Sequence, residues 1–519
     1  MDITYLGHAG FYVEAEQFVL VMDPWLSPEG AFDSAWFQFP CNHHLASWLC
    51  EALRQTKKER FVYVSHEHRD HFDPDFLSKL PLQDVTFLVP RFDRPALREE
   101  LTKFRPKAIV LVDHGQQISV PGGAVRLFLD DGGINRDSAI LVKSRGESFL
   151  NMNDCKLYDE VADIAQAEGP ISVFTCQFSG ATWHPTCYEY DPAEYSRISS
   201  HKLKSKFEMV ARAISAVQPK CFIPSAGPAC FLDPMLFHIN FQPVNIFPRT
   251  AQFFTFLRER LNGIPTAMVD MMPGDVWRSI SQQFRPLGTQ RVDEANFASY
   301  LRSYAARYEQ YFADRQPKPA EADIRETVDL LQTALQTKLE PLALNARIQV
   351  PLYFGLSDVD GKLLRIDFPA KRVDPVSQIQ DADYYSLTTP SWQIQRVLDG
   401  KITWEEFALT FRVKLNRKPD VYQTLIQGFL LMEPEDMNTF CSKLLEIEQR
   451  QKRITIEAGG TRYSIDRYCP HQGADLTQGW LSEGRYWVCP RHRWHFTLDK
   501  EGQCMTNKGS VHAICLDHD

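Results

Sequence analysis

Two short stretches of this 519-residue chain gather side chains able to hold metals. The first reads SHEHRDHFD and brings His66, His68, Asp70 and His71 within six residues, directly after the apolar run FVYV. Four imidazole or carboxylate donors packed at a strand end can serve two metal ions, His66 and His68 facing one, Asp70 and His71 the other. The second stretch lies near the C-terminus. CPHQGADL supplies Cys469 and His471, and after a gap of 17 residues CPRHRWHF supplies Cys489 and His492. Two thiolates and two imidazoles suit either a zinc ion or a two-iron cluster.

The order of these four ligands separates the two chemistries. Zinc fingers usually set a Cys pair before a His pair. Here each loop carries one of each, so two Cys can bind one iron and two His the other, the Rieske arrangement. The surroundings resemble the two boxes of Rieske [2Fe–2S] domains: a Pro beside each Cys, a Gly after the first box, Trp-x-Phe after the second. Arg493 departs from the family, which usually has Gly there, and is expected to alter access to the His492 edge rather than cluster assembly. Respiratory Rieske proteins carry a further Cys in each box, where this chain has Ala474 and Arg491. The resemblance thus implies the lower-potential cluster of oxygenases and Rieske ferredoxins, which passes one electron at a time.

The His66–His71 motif is the signature of the metallo-β-lactamase fold. LGHAGFYVE and VMDPWLSPEGAFDSAWFQFP resemble the branch that holds ascorbate-6-phosphate lactonase and, more closely, the CMP-N-acetylneuraminate hydroxylase group. LNMNDC, CQFSGATWHPTCYEY, CFIPSAGPACF and WQIQRVLDGKITWEEF extend this likeness over most of residues 1–430. Those hydroxylases carry their Rieske domain at the N-terminus and this chain at the C-terminus, so their substrate is not carried over. The resemblance implies Asp154 as a metal-bridging aspartate. It also implies two histidines that are not found. One should precede AILVKS, where LDDGGINRDS offers Asp131 as a substitute. The other should follow CFIP, where Ser225 and Ala226 stand. His184, in ATWHPTC, is the candidate to compensate; the alternative is a loop residue packed beside Trp183. His8 is expected next to the site without binding metal, and His114 at the surface.

These residues need elements to carry them. Short β-branched or aromatic runs fill residues 1–160, and ISVFTCQF, a long helix from Pro192 to Val217 and CFIPSA follow. The expected fold is α/β: a metallo-β-lactamase αββα sandwich over residues 1–285, an additional α/β module over 286–435, and an all-β Rieske domain over 436–519. In the module, IQVPLYFGLSD and KLLRIDF read as paired strands, SWQIQRVLDG and TWEEFALTFRVKLN as helices. The net charge of −9, without a Lys/Arg block, argues against nucleic acid and anionic membranes as partners. No apolar run reaches the roughly 18 residues of a membrane helix. The N-terminus lacks a basic-then-apolar leader, so a cytoplasmic location is expected, with those of the 12 cysteines that lie outside the ligand pattern mostly buried free thiols.

An electron-transfer cluster joined to a His/Asp site points to redox chemistry at that site, which zinc cannot perform. No Asp-x2-His-x4-His arrangement offers a different iron site. The reading is a Rieske-dependent non-haem iron oxygenase with a mono- or diiron centre at His66, His68, Asp70, His71 and Asp154. It would hydroxylate carbon or nitrogen of a small polar metabolite such as a nucleotide sugar or amine, using O2. An external ferredoxin or flavin reductase would supply electrons, since no Gly-x-Gly-x-x-Gly unit suggests a built-in flavin or NAD site. A homo-oligomer would let a cluster feed a neighbouring subunit. The alternatives are a zinc lactonase or phosphodiesterase with a redox-sensing Rieske domain, and a pure electron carrier.

Overall fold

The computed structural model describes residues 1–519 except 132–135, 288–290, 316–320, 360, 506–508, 518 and 519, and except the side chains of 131 and 321–324. The chain divides into two compact units. Among the described residues, the first comprises those within 1–131, 136–181 and 196–309, the second those within 182–195 and 310–519.

In the first unit, alternation decides the architecture. Along the strand Phe18–Met22, Phe18, Leu20 and Met22 join one apolar core while Val19 and Val21 join another. A strand buried on both faces must lie between layers. An eight-stranded sheet runs, from edge to edge, through Gln283–Arg285, Val276–Arg278, Asp2–Gly7, Gly10–Glu14, Phe18–Met22, Glu59–Tyr63, Val85–Pro90 and Ala108–Val112. A seven-stranded sheet runs through Ala267–Met268, Cys221–Ser225, Val173–Gln177, Glu147–Asn151, Arg136–Ser144, Gly123–Asp131 and Gln117–Val120. Phe11, Leu20 and Tyr63 meet Leu127, Ile140 and Phe149 between the sheets. Outside the first sheet, Val62 and Phe87 pack against Leu49 and Leu53 of the helix Leu45–Gln55. Outside the second, Phe174 meets Phe222, Phe222 meets Phe253 of the helix Thr250–Arg260, and Phe253 meets Phe207 of Pro192–Val217. This is the αββα sandwich.

The second unit holds a five-stranded sheet in the order Arg372–Val376, Leu363–Asp367, Leu352–Leu356, Tyr384–Thr389, Lys414–Lys418. The expected strand pair is antiparallel, Phe354 opposite Leu364. The expected helix over TWEEFALTFRVKLN ends early. A capping box between Thr403 and Glu406 starts it, it stops at Leu409, and Phe411 turns left-handed at φ 58°. VKLN then alternates as a strand should, and Lys414–Lys418 pairs with Tyr384–Thr389. Residues 182–195 dock on that edge, with Leu415 N donating to Cys187 O at 2.8 Å and Glu189 N to Leu415 O at 3.0 Å. The C-terminal part of the unit carries two small antiparallel sheets around Ile465, Leu476, Trp487 and Phe496.

Candidate metal centres

The N-terminal centre begins where two parallel strands stop together. Phe18–Met22 runs into Asp23, and its neighbour Glu59–Tyr63 runs into Val64, Ser65 and His66. The Asp23 carboxylate accepts from Ser65 N at 2.8 Å and Ser65 Oγ at 2.7 Å, and lies 2.8 Å from His71 Nδ1. One buried acid thereby braces both ends of the motif and turns His71 Nε2 inward. Asp73 serves the loop instead. It accepts from Leu26 N, Ser27 N and Phe76 N, and caps the short helix Pro74–Leu77.

Around His71 the donors converge. Asp154, in the turn after Glu147–Asn151, sets Oδ1 3.6 Å from His71 Nε2, and Asp70 Oδ2 lies 3.9 Å from the same nitrogen. His8 Nε2 is 3.0 Å from Asp70 Oδ2, and a ligand atom from each of His8, Asp70 and His71 lies within 4.8 Å of the others. His8, expected beside the site, lies among these candidate donors. It leaves the Asp2–Gly7 strand at φ 51°. Ala226, where the resemblance implies a histidine, donates its N–H to His8 O at 2.8 Å. An imidazole thus reaches that neighbourhood from a different strand.

His66 and His68 form the adjoining pair, His66 Nε2 2.9 Å from His68 Nδ1. Behind His66, Nδ1 lies 3.3 Å from Asp137 Oδ1. Asp137 is the second residue of the strand Arg136–Ser144 and sits opposite Asp130 on the neighbouring strand. It comes from the same LDDGGINRDS segment as Asp131, whose side chain lies outside the described residues. Among the described residues of that segment, the acid beside His66 is Asp137, six positions after Asp131.

Electrostatics show what this cluster lacks. Burial pushes the His71 pKa down, but the charges of Asp70 and Asp23 outweigh it and hold the ring well above its ordinary value. Burial raises Asp154, and contact with His71 and its charge more than reverses that. Burial and then the Asp154 charge push Asp137 well up, while burial and His71 push His66 well down. Three buried acids, Asp23, Asp70 and Asp137, and the partly buried Asp154 thus crowd around His66 and His71. His71 Nε2, Asp70 Oδ1 and Asp154 Oδ1 are buried and make no hydrogen bond. Buried polar atoms rarely stay unpaired without a reason, and three such atoms on residues that converge around His71 Nε2 fit a divalent metal. The residues present fit the metal that the fold implies.

His184 belongs to the second unit. Its Nε2 lies 2.9 Å from the Tyr190 hydroxyl, which donates to Asp420 at 2.9 Å. Trp183 beside it is buried, its indole N–H bonded to Ala408 O.

The C-terminal centre is built from two loops of the same local design. Cys469 N donates to Ala474 O and Gly473 N to Cys469 O, both at 2.9 Å. Likewise Cys489 N donates to Trp494 O and Arg493 N to Cys489 O, both at 2.9 Å. In each loop the fifth residue is left-handed, Gly473 at φ 71° and Arg493 at 61°. The family glycine replaced by Arg493 is thus a conformational glycine. The two loops bring the His471 and His492 rings to 4.5 Å. Burial first, and then contact with Cys489, push the Cys469 thiol well up, a cost that thiolate–metal bonding removes. Two thiols and two imidazoles converging from two loops fit a [2Fe–2S] cluster.

Comparison with known proteins agrees with this division. A model of the beta-lactamase superfamily domain matches residues 2–131, and one of the Rieske [2Fe-2S] domain matches residues 429–514. The chain therefore joins a metallo-β-lactamase-fold N-terminal domain to a C-terminal Rieske domain. Proteins of Mycolicibacterium smegmatis and Mycobacterium tuberculosis, named as Rieske 2Fe-2S iron-sulfur proteins, are 29% identical over 98% of both chains. The cytidine monophosphate-N-acetylneuraminic acid hydroxylase of Xenopus laevis is 22% identical, over 85% of this chain and 74% of its own. The crystal structure of CmlA, a diiron beta-hydroxylase from Streptomyces venezuelae, aligns over 52% of this chain and 53% of its own. Its identity is 17% and its TM-score 0.33, too low to bear on mechanism. Among the described residues, no helix is long and apolar enough to cross a membrane.

The residues that sequence reasoning misses are Asp23, Asp137 and the direct part taken by His8. Asp23 carries a readable signal, an acid ending the apolar strand FVLVM beside a second strand that ends in the His motif. Asp137 carries none beyond its segment.

Proposed function

We propose that the chain is a Rieske-linked, O2-dependent hydroxylase whose catalytic metal is iron, held in the lactamase-fold domain. The observation that carries this reading is the set of buried, unbonded donor atoms on His71, Asp70 and Asp154 in a chain that also bears an electron-transfer domain. His66, His68, Asp70, His71 and Asp154 would hold one or two irons, with His8 completing the set. Iron bound there supplies redox change and O2 activation, which zinc does not.

The protein's own residues do the positioning. Asp23 accepts from His71 Nδ1–H and so directs Nε2 to the donors. Asp137 and Ser65 hold His66 from behind. Burial keeps His66 neutral, the state in which an imidazole binds metal. Trp25 stands edge-on to His8 at 5.4 Å, and Phe32 edge-on to His68 at 6.0 Å, giving the site an apolar rim that limits water. One oxygen atom of O2 enters a C–H or N–H bond of a small polar substrate. The other leaves as water, using two electrons and two protons. A [2Fe–2S] cluster held by Cys469, His471, Cys489 and His492 would supply electrons one at a time, drawn from an external ferredoxin or flavin reductase in the cytoplasm. A nucleotide sugar or an amine is the substrate class in keeping with the hydroxylase relatives.

The same His and Asp donors also suit zinc, which keeps a hydrolase with a redox-sensing cluster as the second reading. Metal analysis separates them. The hydroxylase requires more than two irons per chain, the excess lost in His71→Ala. Two irons with zinc, and turnover without O2, would establish the hydrolase. Two irons alone would leave an electron carrier.

A further inference from the structure

The module around the five-stranded sheet carries no metal motif, yet it reaches the cluster. The loop between the strand Lys414–Lys418 and the helix Thr424–Leu431 presents Tyr422. The His471 ring lies flat on Trp494, centroids 4.1 Å apart and planes 15° apart. Tyr422 stands edge-on to both rings at 5.6 Å, and its hydroxyl lies 3.4 Å from His471 Nε2. We propose that Tyr422 is a positioning residue for the cluster ligand His471, by which the middle module fixes that ligand's orientation and sets the cluster's reduction potential.

The loop is built to hold Tyr422 still. Arg417 Nε donates to Asp420 Oδ1 at 2.5 Å, and the Tyr190 hydroxyl donates to Asp420 Oδ2 at 2.9 Å. His184 Nε2 meets that hydroxyl from the other side at 2.9 Å. The Arg417 guanidinium covers the Tyr188 ring at 4.8 Å, and Tyr385 donates its hydroxyl proton to Val421 O. His184, singled out from the sequence as a metal-site candidate, thereby acquires a different role. Through Tyr190 and Asp420 it braces the loop that bears Tyr422.

The chemistry follows from how an imidazole binds iron. If His471 held iron through Nδ1, Nε2 would keep its proton and donate to the Tyr422 oxygen. An acceptor at that position fixes the ring and raises the ligand's basicity. A more basic ligand favours the oxidised cluster and lowers its potential. The Trp494 stack prevents the ring from swinging away. This inference does not depend on the N-terminal metal and holds whether that site takes iron or zinc.

The test is a redox titration with EPR on the full-length, cluster-loaded protein. Tyr422→Phe removes the hydroxyl and keeps the ring. It should retain two cluster irons, shift the g-values and raise the midpoint potential. Asp420→Asn should shift the potential the same way by less. A wild-type potential and spectrum in Tyr422→Phe would overturn the proposal. If that variant assembles no cluster, pulsed EPR of the wild-type protein after transfer to D2O decides. One ligand imidazole N–H should then exchange markedly more slowly than the other, and equal exchange would overturn the proposal.

Discussion

The two candidate metal centres of this chain are assembled in opposite ways. The four candidate ligands of the Rieske centre come from two loops that repeat one hydrogen-bond pattern, each closed by a Cys N–H bonded five residues ahead. The N-terminal centre draws its donors from separate strand ends: His8, the His66–His71 loop and Asp154, with Asp23 and Asp137 behind them. A local centre is fixed by loop conformation. A dispersed one is fixed by the register of the sheets that bring its parts together, so damage far along the chain reaches it.

The sharpest way to break this comparison is to remove one ligand from each centre. Cys489→Ala should abolish the Rieske EPR signal and the visible absorption completely. His66→Ala should leave both and lower only metal bound in the first unit. Loss of the Rieske signal in a folded His66→Ala protein would show that the centres are not independent.

Asp23 tests the dispersed design one layer further out. Its carboxylate meets His71 Nδ1, on the side of the ring away from the converging donors. Asp23→Asn should therefore weaken metal binding in the N-terminal site by about 10- to 100-fold. Competition with a chelator measures this. Unchanged affinity would mean that the motif loop holds His71 without help from the neighbouring strand.

The scaffold of the first unit should also be the more acid-sensitive. Burial lowers the His43 pKa to about 4, and its ring lies 3.5 Å from Cys41 Sγ and 3.4 Å from the Tyr304 hydroxyl. The unfolded chain takes up this proton near pH 6.5 and the folded chain only near 4. The stability of the neutral ring is therefore complete above pH 6.5 and is lost as pH falls towards 4, by up to about 3 kcal/mol. Thermal melts from about pH 7 to 4.5 should fall less steeply for His43→Gln than for the wild type. Parallel curves would remove His43 from this role.

The smallest effect probes the local design. Arg493 occupies a left-handed position at φ 61° that its counterpart Gly473 fills without strain. Arg493→Gly should stabilise the Rieske domain by about 1 kcal/mol and leave iron content unchanged. Chemical denaturation followed at the cluster absorption checks it.

This contrast explains what the sequence can reveal. Cys469, His471, Cys489 and His492 sit in short segments whose spacing already encodes their geometry. The His66–His71 motif, after its apolar strand, is legible for the same reason, as is the strand alternation behind the sandwich. Asp137 is not, because LDDGGINRDS offers several acids and only the strand register opposite Gly123–Asp131 decides which one faces His66. His8 reads as peripheral because nothing local reveals that Ala226 pairs with its backbone. A missing histidine draws His184 towards the metal, whereas tertiary contacts tie it to Tyr190. The strand Lys414–Lys418 is hidden by the helix before it, since the left-handed turn at Phe411 leaves no glycine to mark it.

The central claim is that cluster electrons are delivered to a redox metal in the lactamase-fold site. The direct measurement is stopped-flow reoxidation of the fully reduced protein by O2, followed at the Rieske absorption. Wild-type protein should reoxidise at least about 10-fold faster than His71→Ala, whose cluster is intact but whose N-terminal metal is lost. Equal rates in the two proteins would contradict the account.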